Sequence, residues 1–324
     1  MERRDFISNG LSIPFLSGTP SIPKKTQVTD DVVIERYQPG QPHKGKVLAA
    51  IQPHCDDIPL FAAGTVAKLI REGYEGYLIR TTNDDHAGRG ETVGDVIKNN
   101  SIDNEAVAKA LGLKKVFDLG YRNHMMDNYS MQDIRGRLIF LFRLLKVDTI
   151  ICYDPWGHYE ENPDHYITAR AVEAARWMAG GGRDYPEHME AGLKPYAVKE
   201  RYYFARGPQL VNRIVDISET LEQKIDANLV NVSQGPAGEN GSMLKNRLAK
   251  EGKYLPLLGQ TDSEANRNYI KHFVLDMDSQ TQRGVPSDKE VGKPYGIEWA
   301  ERFHYIGAEP STIVKYIDQN AKKR

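Results

Sequence analysis

The residues best suited to chemistry are gathered in one short stretch, Gln52-Pro53-His54-Cys55-Asp56-Asp57. An imidazole and two adjacent carboxylates are costly to bury unless their charge is compensated. A metal ion is one compensation and the N-terminal dipole of a following helix is another. His54 and Asp57 flank a turn, so both can reach one ion. His165, far along the chain at the start of another helix, is the third candidate ligand. Two nitrogens and one carboxylate suit Zn²⁺ and leave a position for water, which separates a catalytic site from a structural one. Asp56 is then free to act as general base beside that water. The competing reading is a polar helix cap that holds no ion.

These residues need elements to position them. Apolar runs at Lys46–Ile51, Gly76–Thr82, Val116–Gly120, Thr149–Tyr153 and Lys199–Ala205 read as strands, with a lead-in strand at Val32–Tyr37. Helical periodicity covers Pro59–Glu72, Asp103–Leu111, Gln132–Leu145, Asp164–Met178 and Ile217–Val230, the first two closed by Gly73 and Gly112. This alternation predicts an α/β fold, a Rossmann-like, mostly parallel sheet with helices on both faces. Ligands bind such sheets at the carboxyl edge of the strands. The His54 stretch, Asn83–His86, Tyr121–Asp127 and Asp154–His165 all fall on that rim. Asp84, Asp85, His86, His124 and His158 are therefore expected around a substrate. Residues 233–294 lack clear periodicity and read as a C-terminal lid or substrate-binding insert.

Composition narrows the class. With 43 basic and 44 acidic side chains there is no basic stripe for nucleic acid, and no apolar run is long enough to span a membrane. The expected partner is a small-molecule or glycan substrate. Cys55 and Cys152 cannot build a disulfide framework and read as buried fillers. Arg3-Arg4-Asp5-Phe6-Ile7 looks like a twin-arginine export motif, although Pro14 and Pro20 follow and no Ala-x-Ala site does. Residues 1–25 are read as such a signal, with a periplasmic product, or as a disordered leader on a cytoplasmic protein. Residues 26–324 are read as one domain. A dinucleotide fold would place Gly-x-Gly-x-x-Gly after the first central strand, where this chain has His-Cys-Asp-Asp.

His54-x-Asp56-Asp57 after a buried strand, with Pro163-Asp164-His165 after a later one, resembles the PIG-L / LmbE-like de-N-acetylases. Their motifs read Ala-His-Pro-Asp-Asp-Glu and His-Pro-Asp-His. Glu105-Ala106, Leu111-Gly112, the run Val215 to Lys224, Ser233-Gln234 and a trace at Ala300–Phe303 add to the likeness. The resemblance implies a zinc-dependent hydrolase, one ion per chain (or another divalent metal), that removes acetyl from an N-acetylated sugar. It assigns His54, Asp57 and His165 as metal ligands, and Asp56, Asn162 and Asp164 as the catalytic set. Asn162 stands where the family motif has its first His; an amide can donate to an oxyanion but carries no positive charge. His158 is an alternative donor. Cys55 and Ile58 replace the motif's Pro and Glu, Asp103-Asn104 an arginine region, Asn123-His124 an acidic pattern, and Asn231 a His. Two other readings remain: a sugar-binding protein without catalysis, and a metal hydrolase of another amide or ester.

Overall fold

Leu48 to Ile51 are fully buried, as an apolar run must be when helices cover both faces of a parallel strand. They form most of β2 (Val47–Gln52), the centre of the sheet seen in a computed structural model that describes residues 32–277, 285–307 and 311–322. The Arg3-Arg4 stretch and the expected leader lie outside the described residues. Residues from Val32 onward form one unit.

The described strands are β1 (Val33–Glu35), β2, β3 (Glu75–Thr82), β4 (Val116–Tyr121), β5 (Thr149–Tyr153), β6 (Glu200–Phe204), β7 (Arg213–Asp216) and β8 (Ala300–Ile306). They make a single sheet in the order β1-β7-β8-β6-β5-β2-β3-β4. Only β8 runs antiparallel to its neighbours, so the expected mostly parallel sheet is what the chain builds. Strand β2 pairs β3 on one side (Val47 opposite Glu75) and β5 on the other (Leu48 opposite Thr149). The chain thus leaves β2 outward through β3 and β4, then returns across it to β5. That reversal opens a crevice beyond the carboxyl ends of β2 and β5, the switch point where such sheets bind ligands.

The helices are α1 (Asp57–Phe61), α2 (Ala63–Arg71), α3 (Val93–Ala110), α4 (Met131–Leu145), α5 (Pro163–Met178), α6 (Pro186–Glu190), α7 (Leu221–Leu229), α8 (Asn240–Lys250), α9 (Asp262–Tyr269), α10 (Asp288–Gly292) and α11 (Thr312–Asn320). The single helix expected over 59–72 is broken at Ala62, whose φ is −145°. The break has a distant cause: Glu301 on β8 accepts the N–H groups of Gly64 and Thr65 at 3.0 and 2.8 Å, capping α2 from across the sheet. Glu301 also holds buried Lys224, which pairs with Asp288 in turn.

Helix α3 begins ten residues before the expected start, at a capping box formed by Thr92 and Asp95. Its polar residues Asn100 and Asn104 are fully buried against the β2–α1 turn, so they weaken the apolar period without breaking the helix. The stretch after 233 is more ordered than its composition suggests, with α8, α9 and a π-helical run at Ile270–Met277. No helix among the described residues is long and apolar enough to cross a membrane.

Candidate active site

The turn after β2 is fixed before any ligand is considered. Gln52, buried at the strand end, accepts from Ile58 N–H at 2.9 Å and donates to Asn104 Oδ1 at 2.8 Å. Asp57 Oδ2 accepts the His54 N–H at 2.9 Å, so the turn folds back on itself and brings both side chains to one side. Asp84 Oδ2 accepts the Cys55 N–H at 3.3 Å and is held by Arg80 at 2.8 Å. The Cys55 thiol lies 3.2 Å from Asn231 Oδ1 and 3.3 Å from Asn100 Oδ1 and accepts from Gln234 Nε2 at 3.0 Å. Both cysteines are buried and free, as read from the sequence.

Helix α5 supplies the third group from the end of β5. Asn162 caps it, its Oδ1 accepting from Asp164 N–H at 3.0 Å, and Pro163 occupies the first turn, where no donor is needed. His165 then faces His54, with Nε2 of the first 3.0 Å from Nδ1 of the second. Asp57 lies 3.5 Å from His54 Nδ1 and 3.6 Å from His165 Nε2. His54, Asp57 and His165 are all buried, and their ligand atoms lie within 4.8 Å of one another.

The opposite side of each imidazole meets a carboxylate. His54 Nε2 is 3.0 Å from Asp164 Oδ2, and His165 Nδ1 is 3.2 Å from Glu160 Oε2, which Arg206 holds in turn. Asp164 fixes the outer nitrogen of His54 as a donor and Glu160 sets a negative charge beside that of His165, which turns the lone pairs of the inner nitrogens toward each other. Two lone pairs at 3.0 Å repel unless a cation or a proton lies between them. The donor set therefore fits a divalent metal.

Charge in the cluster is strongly redistributed. Burial opposes the charged form of His54, but Asp164 and Asp57 outweigh it and hold its pKa well above the usual range. Burial pushes His165 below its ordinary value against the pull of Asp57 and Glu160. For Asp57 burial is outweighed by His165 and His54, and its pKa is lowered. For Asp56 burial, then Asp57, outweigh the pull of His54 and raise its carboxyl to about 7.

A cavity of about 360 Å³ opens beside this cluster. His54, Asp56, Asp57 and His165 line it, together with Asn162 and His124 from the candidate list. Asp164 does not reach it. Fully buried, it accepts from His124 N–H and Met126 N–H as well as facing His54, so it orients that imidazole from behind. Asp84 is also fully buried, behind the turn. Asp85 lies under the rim, accepting from Asn123 N–H and Arg122, with the half-exposed His86 beside it. His158 points elsewhere along the β5–α5 loop, its N–H bound to Pro208 O.

Sequence reasoning gave no metal-site or catalytic role to several residues that meet at the site. Asn123 lines the cavity fully buried, and neither its amide nitrogen nor its amide oxygen has a protein partner. Tyr153 donates to Asp57, and Glu160 and Arg206 back His165. Gly235 and Pro236, from the loop before α8, close over Asp56. Glu160 sits on the rim segment that the alternation had marked and Tyr153 ends the strand before it; only their contacts were unreadable.

Residues 49–176 match the family described as GlcNAc-PI de-N-acetylase, PIG-L. The diacetylchitobiose deacetylase of Thermococcus kodakarensis is 29% identical over 195 residues, spanning 59% of this chain and 71% of its own. A 1D-myo-inositol 2-acetamido-2-deoxy-alpha-D-glucopyranoside deacetylase of a Mycobacterium species is 23% identical over 278 residues, spanning 70% and 82%. The fold is shared with N,N'-diacetylchitobiose deacetylase from Pyrococcus horikoshii, at a TM-score of 0.62 and 21% identity over 83% of this chain and 88% of that one.

Proposed function

We propose that the chain, whose residues 49–176 match the PIG-L de-N-acetylase family, is a zinc-dependent hydrolase that removes the acetyl group from an N-acetylated sugar. The observation that carries this reading is the pair of imidazoles facing each other at 3.0 Å beside Asp57, with the unligated Asp56 next to them in the same cavity. His54, Asp57 and His165 would hold Zn²⁺, which when bound polarises a carbonyl and lowers the pKa of water toward ~7.

The remaining work belongs to the chain. Asp56, which lines the cavity beside the three candidate ligands, would accept a proton from the attacking water and return it to the departing amine. Asn162 uses its oxygen to cap α5, which leaves its NH₂ to donate to the oxyanion from the cavity wall. Asn123 offers an unpaired donor and acceptor to the substrate, a pairing suited to a hydroxyl, which does both. Asp164 and Glu160 orient the two imidazoles and are positioning residues.

The test is a panel of N-acetylated mono- and disaccharides incubated with zinc-loaded protein, scored for free amine, with Asp56→Asn alongside. Amine release that falls about 10²- to 10⁴-fold in the variant is the expected result. Absence of release across the panel, or full release by Asp56→Asn, would sink the reading.

A further inference from the structure

The Asp56 carboxylate has a defined place, yet among the described residues no other side chain hydrogen-bonds it there. Contact does that instead. Gly235 has a φ of +86°, a region open to glycine and strained for other residues. A Cβ built on it would lie 2.8 Å from Asp56 Oδ2, 3.0 Å from Asp56 Cβ and 3.3 Å from Cγ. The Gly235 backbone is therefore packed directly onto the carboxylate, with no room for a methyl group.

The loop that carries Gly235 cannot easily retreat. Ser233 N–H donates to Asp103 Oδ2 on α3 at 2.6 Å, and Gln234 Nε2 donates to Cys55 Sγ at 3.0 Å. Gly238 N–H donates to Asn228 O at 3.0 Å, and Asn228 Nδ2 in turn donates to Pro59 O at 2.8 Å. The loop is thus tied to α3, to the residue beside Asp56 and, through α7, to α1. Rotation of the short Asp56 side chain is the cheapest way to relieve any added volume at Gly235.

We propose that Gly235 is a positioning residue for Asp56, its bare Cα forming the wall against which the carboxylate rests at the cavity. The inference rests on the reading of Asp56 as general base. It assigns a functional reason to a glycine whose neighbours, Ser233 and Gln234, carry the family likeness.

Gly235→Ala and Asp56→Ala, made singly and together, test it through metal content, thermal midpoint and steady-state kinetics. Gly235→Ala should fold and bind metal at wild-type stoichiometry. Its kcat should fall about 100-fold, the scale of an ångström-sized misplacement, with KM little changed. Its loss of thermal midpoint should shrink in the Asp56→Ala background, where Oδ2 and Cγ are gone. Wild-type kcat in Gly235→Ala, lost metal, or an equal midpoint loss in both backgrounds would each overturn the proposal. If Gly235→Ala does not fold, the double variant decides: a folded double variant supports the contact and an unfolded one overturns it. Wild-type amine release by Asp56→Ala would instead sink the base assignment, while the midpoint coupling still reports on the contact.

Discussion

Tyr153 donates a 2.6 Å hydrogen bond to Asp57 Oδ1 while its ring stacks on His165 at 4.3 Å. One side chain at the end of β5 therefore sets the orientation of two of the three candidate ligands. Tyr153→Phe keeps the ring and removes the hydroxyl. It should weaken metal binding about 10- to 100-fold, the usual scale for a lost outer partner. Competition with a chromogenic chelator measures this, and unchanged affinity would show that Asp57 holds its place without Tyr153.

Under the proposed zinc assignment, chelation should lower stability as well as activity, because the facing imidazoles at 3.0 Å then repel or must trap a proton. Dialysis against a chelator is expected to lower the thermal midpoint, and added Zn²⁺ to restore it by mass action. His165→Ala should lose this zinc-dependent increment. A midpoint indifferent to zinc in the wild-type chain would contradict the ligand assignment.

Arg143 on α4 is buried and donates to five backbone carbonyls, those of Met178, Ala179, Gly181, Asp184 and Tyr185. Met178 and Ala179 close the C-terminal end of α5, so this cation also suits the helix dipole. Arg143→Met should cost about 3 kcal/mol or more, since buried carbonyls lose their donors together. Urea unfolding reads the difference, and a cost within about 0.5 kcal/mol, the range of ordinary surface changes, would mean that water replaces the guanidinium.

The Lys224 group gives a pH signature away from the site. Burial pushes Asp288 up to about 7, with Lys224 pulling against it and Glu301 adding to it. Between about pH 4 and about pH 7 the folded chain keeps a proton that the unfolded chain has released. This contribution to stability is complete below about pH 4 and is lost as pH rises through about 7. Asp288→Asn, neutral throughout, should gain stability relative to wild type as pH rises from about 4 to about 7. A difference independent of pH would show Asp288 already ionised at the lower end.

The sheet centre was legible because β2, β3 and β5 are short apolar runs between helical periods, and their ends marked the rim that carries His54 and His165. Strands β7 and β8 were not read as strands. β7 is four residues long, and β8 joins the sheet antiparallel after a long polar stretch, so neither follows a strand–helix rhythm. That His54, Asp57 and His165 come together was legible from residue type and spacing. The partners that orient it were not, because Tyr153, Glu160 and Arg206 act through side-chain directions that no periodicity encodes. Asp84 shows the opposite case: its type suggested a substrate contact, but Arg80, on β3 just before it, holds it in the interior.

Glu301 caps a helix that lies 237 residues earlier in the chain. During synthesis, α2 must therefore wait for almost the whole sheet to be made before its first N–H groups are satisfied. The turn that carries His54, just ahead of α1 and α2, is encoded early but receives this support late. A nascent chain arrested before residue 301 would carry the His54–Asp57 turn ahead of an α2 that lacks this cap.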